Sequence, residues 1–118
     1  MTSKEKALSF AEAIYEKKGL HVHILDVRGI ASFSDFFVIA SGTSDRHTKA
    51  LASAVLERAH ALGLRPIGVE GKDVGRWILA DLGDVILHLF LEEVRSFYDL
   101  ERLWGEAETV ELAVGAAQ

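Results

Sequence analysis

Two apolar runs without alternation constrain this chain more than any other feature. Val85 to Leu91 is apolar at every position except His88, and Phe36 to Ala40 is apolar throughout. A strand with one wet face alternates polar and apolar residues, so a run without alternation belongs to a strand covered on both faces. Val85–Leu91 is therefore predicted to be an interior strand of a mixed sheet with two long helices packed on it. At 118 residues the chain is one domain, and a domain of this size buries enough surface to fold without a staple.

The remaining segments supply the rest of an α/β (α+β) fold. Thr2 and Glu5 fit a capping box, and Leu8, Ala11, Ile14 and Tyr15 follow at helical spacing. Gly19 suits the left-handed stop of that helix. Leu20, Val22 and Ile24 alternate with His21 and His23, which reads as a strand leading to Val27. Gly42-Thr43-Ser44 ends the Phe36 strand, and Ser44 or Asp45 caps a second helix whose stripe is Leu51, Val55, Ala59 and Leu62. Pro66 opens a short strand from Ile67 to Glu70, and Gly71 to Gly75 is a loop. Trp77–Ala80 and Val85–Leu91 form a hairpin around Leu82-Gly83-Asp84. A last helix is expected from about Val94 to Trp104, burying some of Phe97, Tyr98, Leu100, Leu103 and Trp104. Beyond it, residues 105–118 read as an acidic, loose tail with a brief strand at Val110 to Val114. The order α-β-β-α-β-β-β-α gives a mixed sheet of about five strands.

Composition narrows the function. The chain has no cysteine, which removes disulfides, thiolate zinc sites and cysteine catalysis and fits a reducing compartment. No apolar run is long enough to span a membrane, and the N-terminus has no signal-peptide shape. Residues 92–118 hold two Lys/Arg against seven Asp/Glu, whereas residues 1–91 hold eleven of each. A neutral body with an acidic end disfavours binding to phosphate backbones.

The candidate catalytic groups fare poorly. His21 and His23 with His47 or His88 would make a three-histidine metal set, but no HExxH spacing or carboxylate pairing accompanies them, and solvent-facing histidines explain the pattern. Gly42 to Arg46 is a strand-to-helix turn whose amides suit an anion, yet it lacks the glycines and lysine of a phosphate loop. Asp81 and Asp84 stand at i, i+3 across a bend. That is not the i, i+2 pair of metal-dependent nucleotidyl transfer, and aspartate favours turns in any case. No serine sits in a GxSxG elbow. Trp77 has two readings of equal standing, an interface anchor or core packing.

Three segments in register carry a resemblance. They are Ser34-Asp35-Phe36-Phe37-Val38-Ile39 with Ser41-Gly42-Thr43-Ser44; Glu70-Gly71 with Gly75 to Asp84 and His88; and Arg95 to Trp104. Together they resemble the ribosomal silencing factor S family, also called the Iojap family, over about residues 5–104. The resemblance implies a 1–104 domain of nucleotidyltransferase-like fold, often a homodimer, without enzymatic activity, metal or cofactor. It implies a cytoplasmic translation repressor. Such a repressor binds the free large ribosomal subunit through large-subunit ribosomal protein fourteen and sterically blocks small-subunit joining, with little direct nucleic-acid contact and no membrane. Carried over by position, the contact surface is Trp77, Leu79, Asp81, Leu82 and Asp84, with Glu70 nearby, while the Arg95–Trp104 helix is more structural. Leu82 stands where the family often has an aromatic residue, and His47 where it often has glutamine. Two rival readings remain at this stage: a nucleotidyltransferase-like enzyme using Asp81 or Asp84, and a homodimeric scaffold with no ribosome link.

Overall fold

Thr2 starts the first helix as the sequence predicts. In the computed structural model, which describes residues 1–94 and 108–110, its hydroxyl accepts from the Glu5 N–H, and the Glu5 carboxylate accepts from the Thr2 N–H. Those bonds hold the Glu5 carboxyl below the usual carboxylate range. The helix, α1 (Ser3–Glu16), buries Ala7, Phe10, Ala11, Ala13 and Ile14. Its end differs from expectation. Lys18, not Gly19, takes the left-handed position at φ 62°. The Lys18 and Gly19 amides donate to the Tyr15 and Ile14 carbonyls, a Schellman closure. Gly19 is there for space: a Cβ would lie 2.3 Å from Ile14 Cγ2.

The chain continues through β1 (Leu20–Asp26), β2 (Phe36–Gly42), α2 (Asp45–Ala61), β3 (Gly68–Glu70), β4 (Trp77–Asp81), β5 (Val85–Leu91) and β6 (Glu108–Val110). The sheet runs β3-β4-β5-β2-β1-β6. β2 and β5 pair in parallel and every other neighbouring pair is antiparallel. The two apolar runs are thus adjacent central strands. Phe36, Val38 and Ala40 of β2 join Val85, Leu87 and Leu89 of β5 in one core with α1 and α2. The alternate residues Phe37, Ile39, Ile86 and Phe90 form a second cluster on the other face with Leu25, Val27 and Val94. Alternation is missing from the sequence because both faces are apolar.

Ser44 caps α2 by accepting from the His47 N–H, and Gly63 at φ 76° closes its end. The predicted stripe is buried at Leu51, Val55 and Ala59, with Thr48 and Ala52 added. Ile67 lies outside the strand expected to begin there and is 74% exposed, although its amide donates to the Asp81 carbonyl at 2.7 Å. Beyond residue 105 a brief strand is described at 108–110, pairing with Ile24 to Asp26 on the edge of β1, while residues 111–114 of the expected strand lie outside the described residues. It makes the sheet six-stranded. Apart from Val94, the helix expected to Trp104 lies outside the described residues. Among the described residues no helix is long and apolar enough to cross a membrane.

Candidate functional site

Strand alternation on β4 sorts the expected contact residues by face. Ile78 and Ala80 point to the helices and are fully buried. Trp77 and Leu79 point the other way and pack half-buried on the second cluster, with Asp81 following on the same side. Across the ladder they oppose Phe90, His88 and Ile86 of β5. Trp77 stacks on Phe90 with ring centroids 5.0 Å apart. Aromatic contact of this kind and partial exposure make Trp77 both a packed residue and a presented one, so the two sequence readings are not exclusive.

The other predicted contacts are placed differently. Leu82 is 8% exposed and packs into the helix-side core, away from the face that carries Trp77. The hairpin reverses direction after Asp81, and Leu82 turns under the sheet. Glu70 is exposed at the end of edge strand β3, opposite Leu79. Asp84 is drawn inward. Both its carboxylate oxygens meet Lys6 Nζ of α1, at 3.0 and 3.3 Å. Its carbonyl accepts from the Asp35 and Phe36 amides and from Ser34 Oγ. Asp81 Oδ1 accepts from the Gly83 N–H at 2.9 Å, which tightens the turn between the two strands.

His88, read from the sequence as a candidate metal ligand and as part of the second resemblance segment, is a packed residue here. It sits in mid-strand, 7% exposed, edge-on to Phe37 at 5.1 Å and flanked by Trp77 and Phe90. Among the described residues its buried Nδ1 has no hydrogen-bond partner. Burial pushes its pKa down to about 4, so the ring is neutral at neutral pH. The polar break in an apolar run was the sequence signal for this placement.

The loop before Trp77 is tightly bound. Thr48 Oγ is within bonding distance of the Asp45 carbonyl at 2.8 Å and also meets the Gly75 carbonyl. Gly71, at φ 80°, leaves no room for a side chain, since a Cβ would lie 2.0 Å from the Trp77 carbonyl oxygen. His47 also has a structural place. Its Nδ1 accepts from the Thr43 N–H at 3.0 Å and its Nε2 donates to the Lys17 carbonyl at 2.9 Å, joining the start of α2 to the end of α1.

Among the described residues no three His, Asp or Glu side chains are arranged to hold a metal. His21 and His23 are both exposed on β1, as the solvent-facing reading expects, and His21 pairs with Glu92 at 3.2 Å. An open cleft of about 370 Å³ lies by Thr43, Leu91, Glu92 and Glu93, near the carboxyl ends of the parallel pair. Ligands often bind at such ends, but two carboxylates there oppose a phosphate.

Comparison with known proteins agrees with this architecture. A Halalkalibacterium halodurans protein named ribosomal silencing factor RsfS is 38% identical over 112 residues, covering 95% of this chain and 96% of its own. A crystal structure of a Chromobacterium violaceum protein superposes with a TM-score of 0.87 at 37% identity, covering 100% of this chain and 98% of that one. A mouse protein named mitochondrial assembly of ribosomal large subunit protein 1 is 40% identical over 75 residues, or 61% of this chain and 33% of its own. The family model described as ribosomal silencing factor during starvation matches residues 1–118. The chain belongs to the RsfS family of ribosomal silencing factors.

Proposed function

We propose that this protein is a cytoplasmic translation repressor. It binds the free large ribosomal subunit through large-subunit ribosomal protein fourteen and sterically blocks joining of the small subunit. It acts without catalysis, and as a homodimer. The observation that carries this reading is the whole-chain match to a family described as ribosomal silencing factors. The name of the mouse relative, which refers to large-subunit assembly, points the same way.

The β4 face supports it physically. Trp77 and Leu79 offer half-buried apolar anchors, and Asp81 adds a negative charge beside them. A rigid aromatic held by its neighbours is the kind of residue that dominates binding energy at interfaces. A basic ribosomal protein is drawn to the carboxylate without any need for a basic, RNA-binding patch on this chain.

Cosedimentation with purified subunits tests the reading. The protein should travel with large subunits and not with small ones. Replacing a buried interface tryptophan commonly costs about 2–4 kcal/mol, roughly thirty- to a thousandfold in affinity. Trp77→Ala should therefore release the protein while a circular-dichroism melt shows it folded. A native chain that ignores large subunits defeats the reading. A folded Trp77→Ala variant that still cosediments puts the contact surface elsewhere.

A further inference from the structure

The hairpin between β4 and β5 carries two carboxylates that the sequence treated alike, and the structure separates them. Asp84 meets its countercharge from within the protein. Lys6, 78 residues away on α1, approaches both Asp84 oxygens, and the two side chains are 20% and 31% exposed. The Asp84 carbonyl takes three further donors, Asp35 N at 2.8 Å, Phe36 N at 3.1 Å and Ser34 Oγ at 3.0 Å. Ser34 is itself 6% exposed. Side chain and backbone together tie the turn to α1 on one side and to the start of β2 on the other.

Asp81 is in the opposite situation. One of its oxygens accepts from the Gly83 amide. Among the described residues no Lys, Arg or His nitrogen forms an ion pair with it. It follows Trp77 and Leu79 on the face away from the helices, whereas Lys6 lies on α1, which packs on the helix side. A cation arriving at Asp84 must displace a pair at 3.0 Å. One arriving at Asp81 displaces none of the described basic side chains.

We propose that the two carboxylates divide the work: Asp81 is the charge that a basic protein partner reads, and Asp84, held by Lys6, is a positioning residue that fixes the turn on which Asp81 stands. This rests on the reading of the β4 face as the ribosome-binding surface. The Asp84 half stands on contacts internal to the chain. A partner contact at Asp84 would be indifferent to Lys6, whereas a positioning role depends on it.

The test uses the full chain and two readouts, amide hydrogen exchange at Asp35 and Phe36 and binding to purified large subunits. Asp84→Asn and Lys6→Met should each speed exchange at those two amides about tenfold, because the same turn is loosened. Both should weaken subunit binding by a similar, smaller factor of about three. The charge swap of Lys6→Asp with Asp84→Lys should bring both readouts back toward native. Asp81→Asn keeps an acceptor for the Gly83 amide and removes the charge. It should leave exchange at Asp35 and Phe36 unchanged and weaken binding about tenfold.

Lys6→Met with native binding beside a weak Asp84→Asn would make Asp84 a partner contact and overturn the division. Unchanged amide exchange in both single variants would remove the positioning role. Native binding by Asp81→Asn would remove the other half. If the native chain does not bind large subunits, the ribosome reading and the Asp81 role fail together, and amide exchange alone decides the role of Asp84.

Discussion

Stability should fall as the pH drops from neutral toward about pH 4, and His88 should be responsible for a measurable share. Burial lowers the His88 pKa from 6.5 to about 4. Its cross-strand neighbours are Ile39 and Leu79 and its ring neighbours Phe37, Trp77 and Phe90, none of them charged. The unfolded chain binds a proton at this histidine below about pH 6.5, while the folded chain does so only below about pH 4. Between those values the unfolded state holds more protons, so stability rises with pH. The contribution is fully present above the unfolded pKa and is lost as pH falls through the window. Each pKa unit corresponds to about 1.4 kcal/mol, which gives a loss of about 2 kcal/mol between about pH 7 and pH 5 and about 3 kcal/mol by about pH 4. Urea unfolding across this range measures it. Glu5 and Asp26, whose carboxyls are held low, also lose their advantage in acid, so the comparison must be with His88→Phe. Phenylalanine keeps an aromatic ring at the position and has no proton to gain. The native protein should lose about 2 kcal/mol more than His88→Phe between about pH 7 and pH 5. Parallel pH profiles for the two proteins would refute the reasoning.

Three further substitutions test the local packing and backbone geometry of the fold. Gly71→Ala should destabilise the fold by about 2 kcal/mol or more in chemical denaturation, because left-handed strain adds to a Cβ only 2.0 Å from the Trp77 carbonyl oxygen. Gly29→Ala shares the positive φ, at 82°, but meets nothing within 4 Å, so about 1 kcal/mol is expected and the difference isolates the clash. Thr48→Val keeps the shape and removes the hydroxyl that reaches the Asp45 and Gly75 carbonyls, and should lower stability by about 1–2 kcal/mol in the same assay.

What the sequence makes legible is what local physics controls. The Thr2–Glu5 capping box, the Ser44 cap and the two apolar strands depend on neighbours in the chain, and each is found where it is expected. Long-range closure is not written locally. Lys6 and Asp84 are 78 residues apart, and nothing near either announces the other. Gly19 reads as a helix stop because glycine has two uses, and only the packed Ile14 side chain shows which one applies. Leu82 follows Asp81 directly yet faces the helix-side core, since a turn resets the alternation on which face assignments depend. Trp77, Leu79 and Asp81 came from the sequence together with Leu82, Asp84 and Glu70, through the family resemblance; only the strand geometry sorts Trp77, Leu79 and Asp81 onto one face and Leu82 onto the other.

Subunit joining measures the central claim most directly. Purified large and small subunits are mixed, and the rise in light scattering reports their association, with and without the protein. The account predicts that the native chain, added to large subunits first, suppresses the rise in proportion to the fraction of large subunits it occupies. Folded Trp77→Ala should leave the rise intact. Full subunit joining in the presence of saturating native protein bound to large subunits would contradict the steric block, whatever the binding assay shows.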